Sequence, residues 1–121
     1  MRLVIVESPY AGDVERNTRY LRACLADCLQ RGEAPFASHA IYTQPGVLRD
    51  EVKGEREHGI LAGFAWREVA HATVVYTDLG TSGGMRSGIE DAQAVALTRA
   101  RRGQVAHAIE YRTLAGEWSA R

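Results

Sequence analysis

The sequence predicts an α/β domain: a three-layer arrangement in which a parallel sheet of four to five strands carries helices on both faces. Two observations predict it. Short apolar runs rich in β-branched residues, Leu3 to Val6 and Thr73 to Tyr76, alternate with longer stretches whose apolar residues recur at helical spacing. Clusters of Gly, Pro, Ser and Asp punctuate the boundaries. Strand–helix alternation calls for parallel strands joined by right-handed crossovers, with both sheet faces covered.

Each element has its own reason. Leu3 to Val6 is continuously apolar, as expected of a strand buried on both faces. Ser8 to Asp13 breaks the run, and Asp13 can cap a helix by accepting a backbone N–H. Val14, Leu21, Leu25, Cys28 and Leu29 then recur helically up to Gly32, a natural stop. Ala34 to Tyr42 reads as a second strand with an irregular exit. Thr43 to Arg56 is polar and charge-dense, an exposed loop or a lid. Ile60, Leu61, Phe64, Ala65 and Val69 predict a helix over 58–71, and Thr73 to Tyr76 the third strand. Asp78 to Gly84 is a turn. Ile89, Ala92, Val95, Ala96 and Leu97 form the stripe of a helix over 85–101. Gln104 to Ile109 reads as the fourth strand, and Tyr111 to Trp118 as a terminal strand or hairpin.

Composition bounds the function. The 121 residues suit one domain, 1–121, and 45% apolar with 25% charged residues argues against disorder. Fifteen basic and 15 acidic residues give a net charge of zero. General nucleic-acid binding needs a basic surplus to displace counterions, so it is not expected. No apolar run approaches the roughly 20 residues that span a bilayer. Met1 to Glu7 is too short and too soon acidic for a signal peptide. A cytoplasmic protein is expected. Cys24 and Cys28 share a helical face; they read as small core hydrophobes rather than as metal ligands. His39, His58, His71 and His107 show no metal spacing, and neither metal nor cofactor is expected.

In such sheets ligands sit at the carboxyl ends of the strands, where strand order reverses. Two segments reach that edge. The first holds Tyr10, Gly12 and Asp13. Tyr10 can stack on a base or serve as a loop aromatic, and Asp13 is a helix cap that could also meet a ligand. The second is Asp78 to Arg86. Its glycines permit close backbone approach, and Ser82, Gly83, Gly84 and Met85 lead into a helix whose first N–H groups suit an anion. It is neither a P-loop nor a dinucleotide fingerprint. Asp78 could receive sugar hydroxyls or bond the turn's own N–H groups; Arg86 could pair with a phosphate or remain solvated. His39 could face the same cleft.

Four stretches carry a resemblance: Glu7 to Asn17, Ala34 to His39, Gly59 to Trp66 and Gly83 to Ala92. In this order they resemble the nucleoside 2-deoxyribosyltransferase-like superfamily, in particular its small branch found in bacteriophages and bacteria. The resemblance implies a flavodoxin/Rossmann-like sheet with a nucleoside or nucleotide pocket. Active members break an N-glycosidic bond with a glutamate at the start of the last helix. Asp78 falls where the family keeps an acid that binds or protonates the substrate, and Tyr10 falls in its first pocket loop. The sequence departs from the pattern at the glutamate. Laid on Gly88 to Ala92, its position is Gly88; laid on Gly84-Met85, it is Arg86. Glu90 lies about 200° further round the helix and is no simple replacement. A glycine in a helix costs about 1 kcal/mol relative to alanine, which suggests room for a ligand or a neighbouring chain.

The expected function is therefore binding of a nucleotide- or nucleoside-like molecule without turnover, such as sequestration of an ADP-ribose-type signal. The ligand would meet Tyr10, Gly12, Asp13, His39, Asp78 and Ser82 to Arg86. One alternative is an N-glycosidic hydrolase or deoxyribosyltransferase that uses Glu90 and Asp78, or a neighbouring subunit's carboxylate. Another is a structural or regulatory oligomer with a vestigial pocket. A homo-oligomer is expected from the resemblance; Phe64, Trp66 and Trp118 suit an interface or the core.

Overall fold

Val4, Ile5 and Val6 are buried on both sides of β1 (Arg2–Glu7), as their unbroken apolar character requires of a central strand. The computed structural model describes residues 1–114 and Trp118. From β1 the chain runs through α1 (Val14–Gln30), β2 (Glu33–Phe36), the single turn α2 (Ser38–Ile41), α3 (Lys53–Arg67), β3 (Ala72–Tyr76), α4 (Gly83–Arg101) and β4 (Ala108–Arg112). The four strands form one parallel sheet in the order β2-β1-β3-β4. The fold class is thus the α/β, Rossmann/flavodoxin-like layout expected from the sequence. Pro35 can sit in β2 because this edge strand pairs only with β1 and its missing N–H breaks no second ladder.

Side chains alternate across the sheet. Val4, Val6, Val74 and Tyr76 point to one face, where Tyr20, Leu21, Cys24 and Cys28 of α1 complete the core. Glu7 and Thr73 point to the other, where Arg67 of α3 reaches both. Met85, Gly88 and Ala92 are the buried positions of α4.

Several boundaries move. Strand β2 ends at Phe36, because residues 38–41 turn helically and Tyr42 N–H bonds Ser38 C=O. Helix α3 starts five residues earlier than expected, at Lys53, and its first turn is tied down when Arg49 bonds the Glu55 carboxylate through its backbone and side chain. It ends at Arg67 rather than continuing to His71. Strand β4 begins at Ala108, not Gln104. Gln104 N–H still closes the end of α4 on Arg99 C=O, and pairing starts only where Ala108 N–H meets His71 C=O. Tyr111 belongs to β4; the hairpin expected around Ala115-Gly116 lies outside the described residues. The stripes shift too. Val14 and Leu29 of α1 are exposed, because the buried rows run through Tyr20, Cys24 and Cys28 at i, i+4, i+8. In α4 only Ala92 of the expected stripe is buried. His107 precedes β4 and is buried, whereas His71 is exposed and accepts the Leu3 N–H at 2.8 Å.

A candidate ligand-binding cleft

Strand order reverses between β1 and β3: the chain leaves β1 for β2 on one side and returns to β3 on the other. A cleft of about 490 Å³ opens at the carboxyl end of these strands, where α/β sheets hold their ligands. Its floor is the end of β1, Ile5 to Ser8. One wall is Tyr10, Phe36 and His39; a second is Ile60, Gly63, Phe64 and Arg67 of α3. The third is Ser82 to Met85 with Gly88 of α4, and Asp50 and Arg56 stand at the remaining side.

Local sequence explains each wall. The turn after β1 is held by Asn17, a buried residue of α1 whose Nδ2 donates to the carbonyls of Tyr10 (2.9 Å) and Ala11 (3.1 Å). Gly12 supplies the left-handed backbone, φ 100°, that lets the chain enter α1. The His39 ring lies edge-on to Tyr10 at 6.1 Å, and its Nε2 is 2.9 Å from Ser8 Oγ. Burial pushes the His39 imidazolium pKa down to about 4, so the ring is neutral near pH 7. Ser82 caps α4 by accepting the Met85 N–H at 3.2 Å. At Gly63 a Cβ would meet Ser38 Cβ at 2.8 Å, so glycine is what lets α2 lie against α3.

The floor carries the strongest electrostatics. Glu7 Oε2 accepts from Arg67 Nη2 at 2.8 Å. Arg67 is 1% exposed and also donates through Nε to Asp91 Oδ2 (2.8 Å) and through Nη1 to Thr73 Oγ1 (2.6 Å). The chain of bonds continues. His107 Nδ1 donates to Ala70 C=O at 3.1 Å, so its Nε2 accepts from the Thr73 hydroxyl at 2.8 Å. Burial raises the Glu7 carboxyl above the ordinary range; Arg67 pulls it back and Asp91 pushes it further up. Glu7 is seated against Gly88, where a Cβ would overlap its carboxylate.

The cleft brings together Tyr10, His39, Ser82, Gly83, Gly84 and Met85 of the expected contacts. The others lie elsewhere. Gly12 and Asp13 are exposed beyond the rim, Asp13 acting as the α1 cap through Arg16 N–H at 3.1 Å. Arg86 folds back on its own helix start, donating to Thr81 C=O at 2.9 Å. Glu90 is exposed on α4 and does not line the cleft, as its helical phase from Gly88 requires. Asp78 is turned to the α1 side. Its Oδ2 accepts the Tyr20 hydroxyl at 2.6 Å, and both oxygens accept Leu114 N–H, at 3.2 and 3.0 Å. Asp78 therefore joins α1, the exit of β3 and the chain after β4. That arrangement differs from both expectations for it: its carboxylate meets neither the cleft nor the N–H groups of its own turn.

Glu7, Arg67, Phe36 and Phe64 line the cleft, and the sequence reading places none of them there; Phe64 suits an interface or the core on sequence grounds. Glu7 has a signal: it is the acidic residue that follows the apolar run Leu3 to Val6 at the switch edge. Arg67 has none, since a basic residue closing a helix normally complements its dipole in solvent.

Residues 2–101 match the family described as Domain of unknown function (DUF7768). The chain belongs to this family. The match takes in β1 through α4, and so every wall of the cleft. Neither a curated protein nor a solved structure matches the chain. No described helix is long and apolar enough to cross a membrane.

Proposed function

We propose that this DUF7768 domain binds a nucleotide- or nucleoside-like small molecule in the cleft and holds it without turnover. The observation that carries the reading is the composition of the cleft at the switch point. Aromatic walls, Tyr10, Phe36 and Phe64, stand over a floor with the half-buried Glu7 carboxylate and beside the first N–H groups of α4. A flat base packs on the former, sugar hydroxyls and an anionic group on the latter. Binding is favoured over turnover because the acids suggested by sequence are not available to a ligand there: Glu90 lies outside, Asp78 is bonded to Tyr20 and Leu114, and Gly88 has no side chain. The kinship with nucleoside 2-deoxyribosyltransferase-like proteins is part of the same proposal.

The test is a panel of nucleosides and nucleotides, read by melting temperature and by chromatography of the recovered ligand. At least one member raises the melting temperature and returns intact. If none does, the reading falls. The second reading, N-glycosidic cleavage, is favoured by one observation: Glu7 brings a carboxylate to the space beside Gly88. Its carboxylate would attack the anomeric carbon as the C–N bond breaks and the base leaves with a proton drawn from solvent; water would then cleave the glycosyl ester, releasing the sugar, the free carboxylate and that proton. Free base that appears with wild type and vanishes with Glu7→Gln establishes that reading.

The chain works, in this proposal, as a homo-oligomer in the cytoplasm of a bacterial or phage-infected cell. Exposed Leu61, Trp66 and Val69 around α3 support assembly. Light scattering that shows only monomer at every concentration overturns the assembly.

A further inference from the structure

Four features of the floor converge on one side chain. First, Glu7 is committed on one oxygen only. Oε2 takes the Arg67 bond, and Oε1 has no hydrogen-bond donor among the described residues. Second, no buried side-chain oxygen or nitrogen among the described residues lacks a partner, so Oε1 is a surface of the cleft and not an orphan in the core. Third, the carboxylate is fixed. Arg67 anchors it from below, and α4 is pressed against it at Gly88, where any side chain would displace it. Fourth, its nearest sheet neighbours are apolar: Ile5 precedes it on the same face of β1 and pairs with Phe36, and Phe64 packs against the Arg67 guanidinium.

An anchored carboxylate with one open oxygen selects by charge and by donor. It repels a phosphate, so an anionic group must sit elsewhere in the cleft. Arg67, shared with Asp91, offsets only part of its charge, but a cation would have to shed its water against Ile5, Phe36 and Phe64, so a neutral donor suits the open oxygen better. Of the neutral donors a nucleotide carries, those of the base go with its ring to the aromatic walls, which leaves the sugar hydroxyls, and an adjacent pair of these can share the carboxylate. Acidic residues take ribose hydroxyls in this way at the strand ends of other doubly wound sheets.

We propose that Glu7 is the specificity-determining residue of the cleft and accepts the vicinal hydroxyls of a ribosyl ligand, so that ribonucleotides are taken in preference to their 2′-deoxy counterparts. This rests on the nucleotide reading above and adds the sugar to it. A hydroxyl bonded to a charged partner in a desolvated site discriminates strongly, because the deoxy ligand leaves the carboxylate unpaired.

The experiment is calorimetric titration of the full chain with the four ribonucleoside 5′-monophosphates and the matched 2′-deoxynucleotides. For whichever base binds, wild type prefers the ribonucleotide by roughly ten- to a hundredfold. In Glu7→Gln the preference shrinks to within about threefold, because the charged acceptor is gone. Glu7→Asp, which retains the charge but draws it back from the cleft, and Gly88→Ala, which displaces the carboxylate without removing it, lose the preference as well. They keep the test decisive should Glu7→Gln fail to fold by circular dichroism. Equal affinity of wild type for the two sugars overturns the role of Glu7 and leaves the nucleotide reading standing. A preference that survives all three substitutions also overturns it. If no nucleotide of either kind binds wild type, the nucleotide reading and this inference fall together.

Discussion

Beneath α1, Arg112 grips Glu33 with both ends of its guanidinium, at 2.7 and 2.8 Å, and Glu110 adds a further bond at 2.8 Å. Beneath α3 and α4, Arg67 divides its donors among Glu7, Asp91 and Thr73. Each face of the sheet thus buries one arginine among acids, yet the acids respond in opposite directions. Hydrogen bonds from Arg112 hold the Glu33 carboxyl below its ordinary range, and those from Arg2 hold Glu110 down at about 2. Burial outweighs Arg67 at Glu7 and pushes that carboxyl up. A carboxylate held down by its partners stabilises the fold as an anion. One held up is carried at a cost by the rest of the structure, and groups of that kind concentrate where proteins bind and react. The α1 face is a closed structural network; the α3/α4 face ends in an oxygen left open to the cleft.

The largest expected effect tests that difference directly. Arg112→Ala leaves the buried Glu33 with only the Arg2 bond at 3.1 Å and costs about 3 kcal/mol. Glu7→Gln changes stability at pH 7 by no more than about 1 kcal/mol, because Arg67 keeps Asp91 and Thr73 and the amide oxygen can still accept. Urea unfolding of the two variants checks this. Comparable losses in both would show that the two networks do the same job.

Acid separates the faces next. His39 is neutral in the fold, with a pKa of about 4 against 6.5 when unfolded, so the unfolded chain binds the proton first. Stability therefore falls as pH drops from 6.5 towards 4, by roughly 2 kcal/mol once the partial exposure of the ring is allowed for. The anions of the α1 face contribute above 4.5, the ordinary glutamate value, and their contribution is lost as pH falls towards 2. Glu7 has the opposite sign and relieves its cost on protonation. Melting temperatures from pH 7 to 3 should thus fall in two stages, with His39→Phe flattening the first and Glu110→Gln the second. A single stage untouched by His39→Phe refutes the assignment.

At Gly88 the prediction is a coupling. Gly88→Ala costs about 1–3 kcal/mol by forcing the Glu7 carboxylate aside. Truncation to Glu7→Ala removes the obstacle, so the double variant is less destabilised than the sum of the two singles by about 1 kcal/mol or more. Strict additivity would mean that Gly88 and Glu7 do not meet.

Local chemistry made most of the fold legible. The existence of all four strands, the three long helices α1, α3 and α4 and the parallel arrangement follow from apolar runs, caps and breakers, while the bounds of β2, α3 and β4 do not. What was missed depends on contacts distant in sequence. Ile41 and Tyr42 look like strand residues, yet the chain turns helically at Ser38, which lies against Gly63 of α3, a contact distant in sequence. The cleft was half legible: Tyr10, His39 and Ser82 to Met85 stand at edges that topology marks in advance. Asp78 misled because an acid in a glycine-rich turn looks like a ligand group, and its partners Tyr20 and Leu114 lie 58 and 36 residues away. Arg67 was invisible for the same reason: its burial is decided by Glu7, 60 residues earlier, and Asp91, 24 later.

The smallest effect separates a cap from a contact. Asp13 ends the loop that carries Tyr10, and its Oδ1 bonds Arg16 N–H at the start of α1. If that is its whole role, Asp13→Ala loses about 1 kcal/mol, and Asp13→Asn or Asp13→Ser, which also cap, restores most of it. Affinity for the ligand then changes less than about threefold in all three variants, because Asn17 still bonds the carbonyls of Tyr10 and Ala11 and keeps that wall in place. Asn17→Ala gives the contrasting pattern. It releases the loop, leaves two carbonyls without their donor, and weakens binding along with stability. The pair of measurements, unfolding midpoint and ligand affinity for each variant, locates the boundary between the scaffold and the cleft. A tenfold loss of affinity in Asp13→Ser with stability intact would move that boundary one turn further out, onto Asp13 itself.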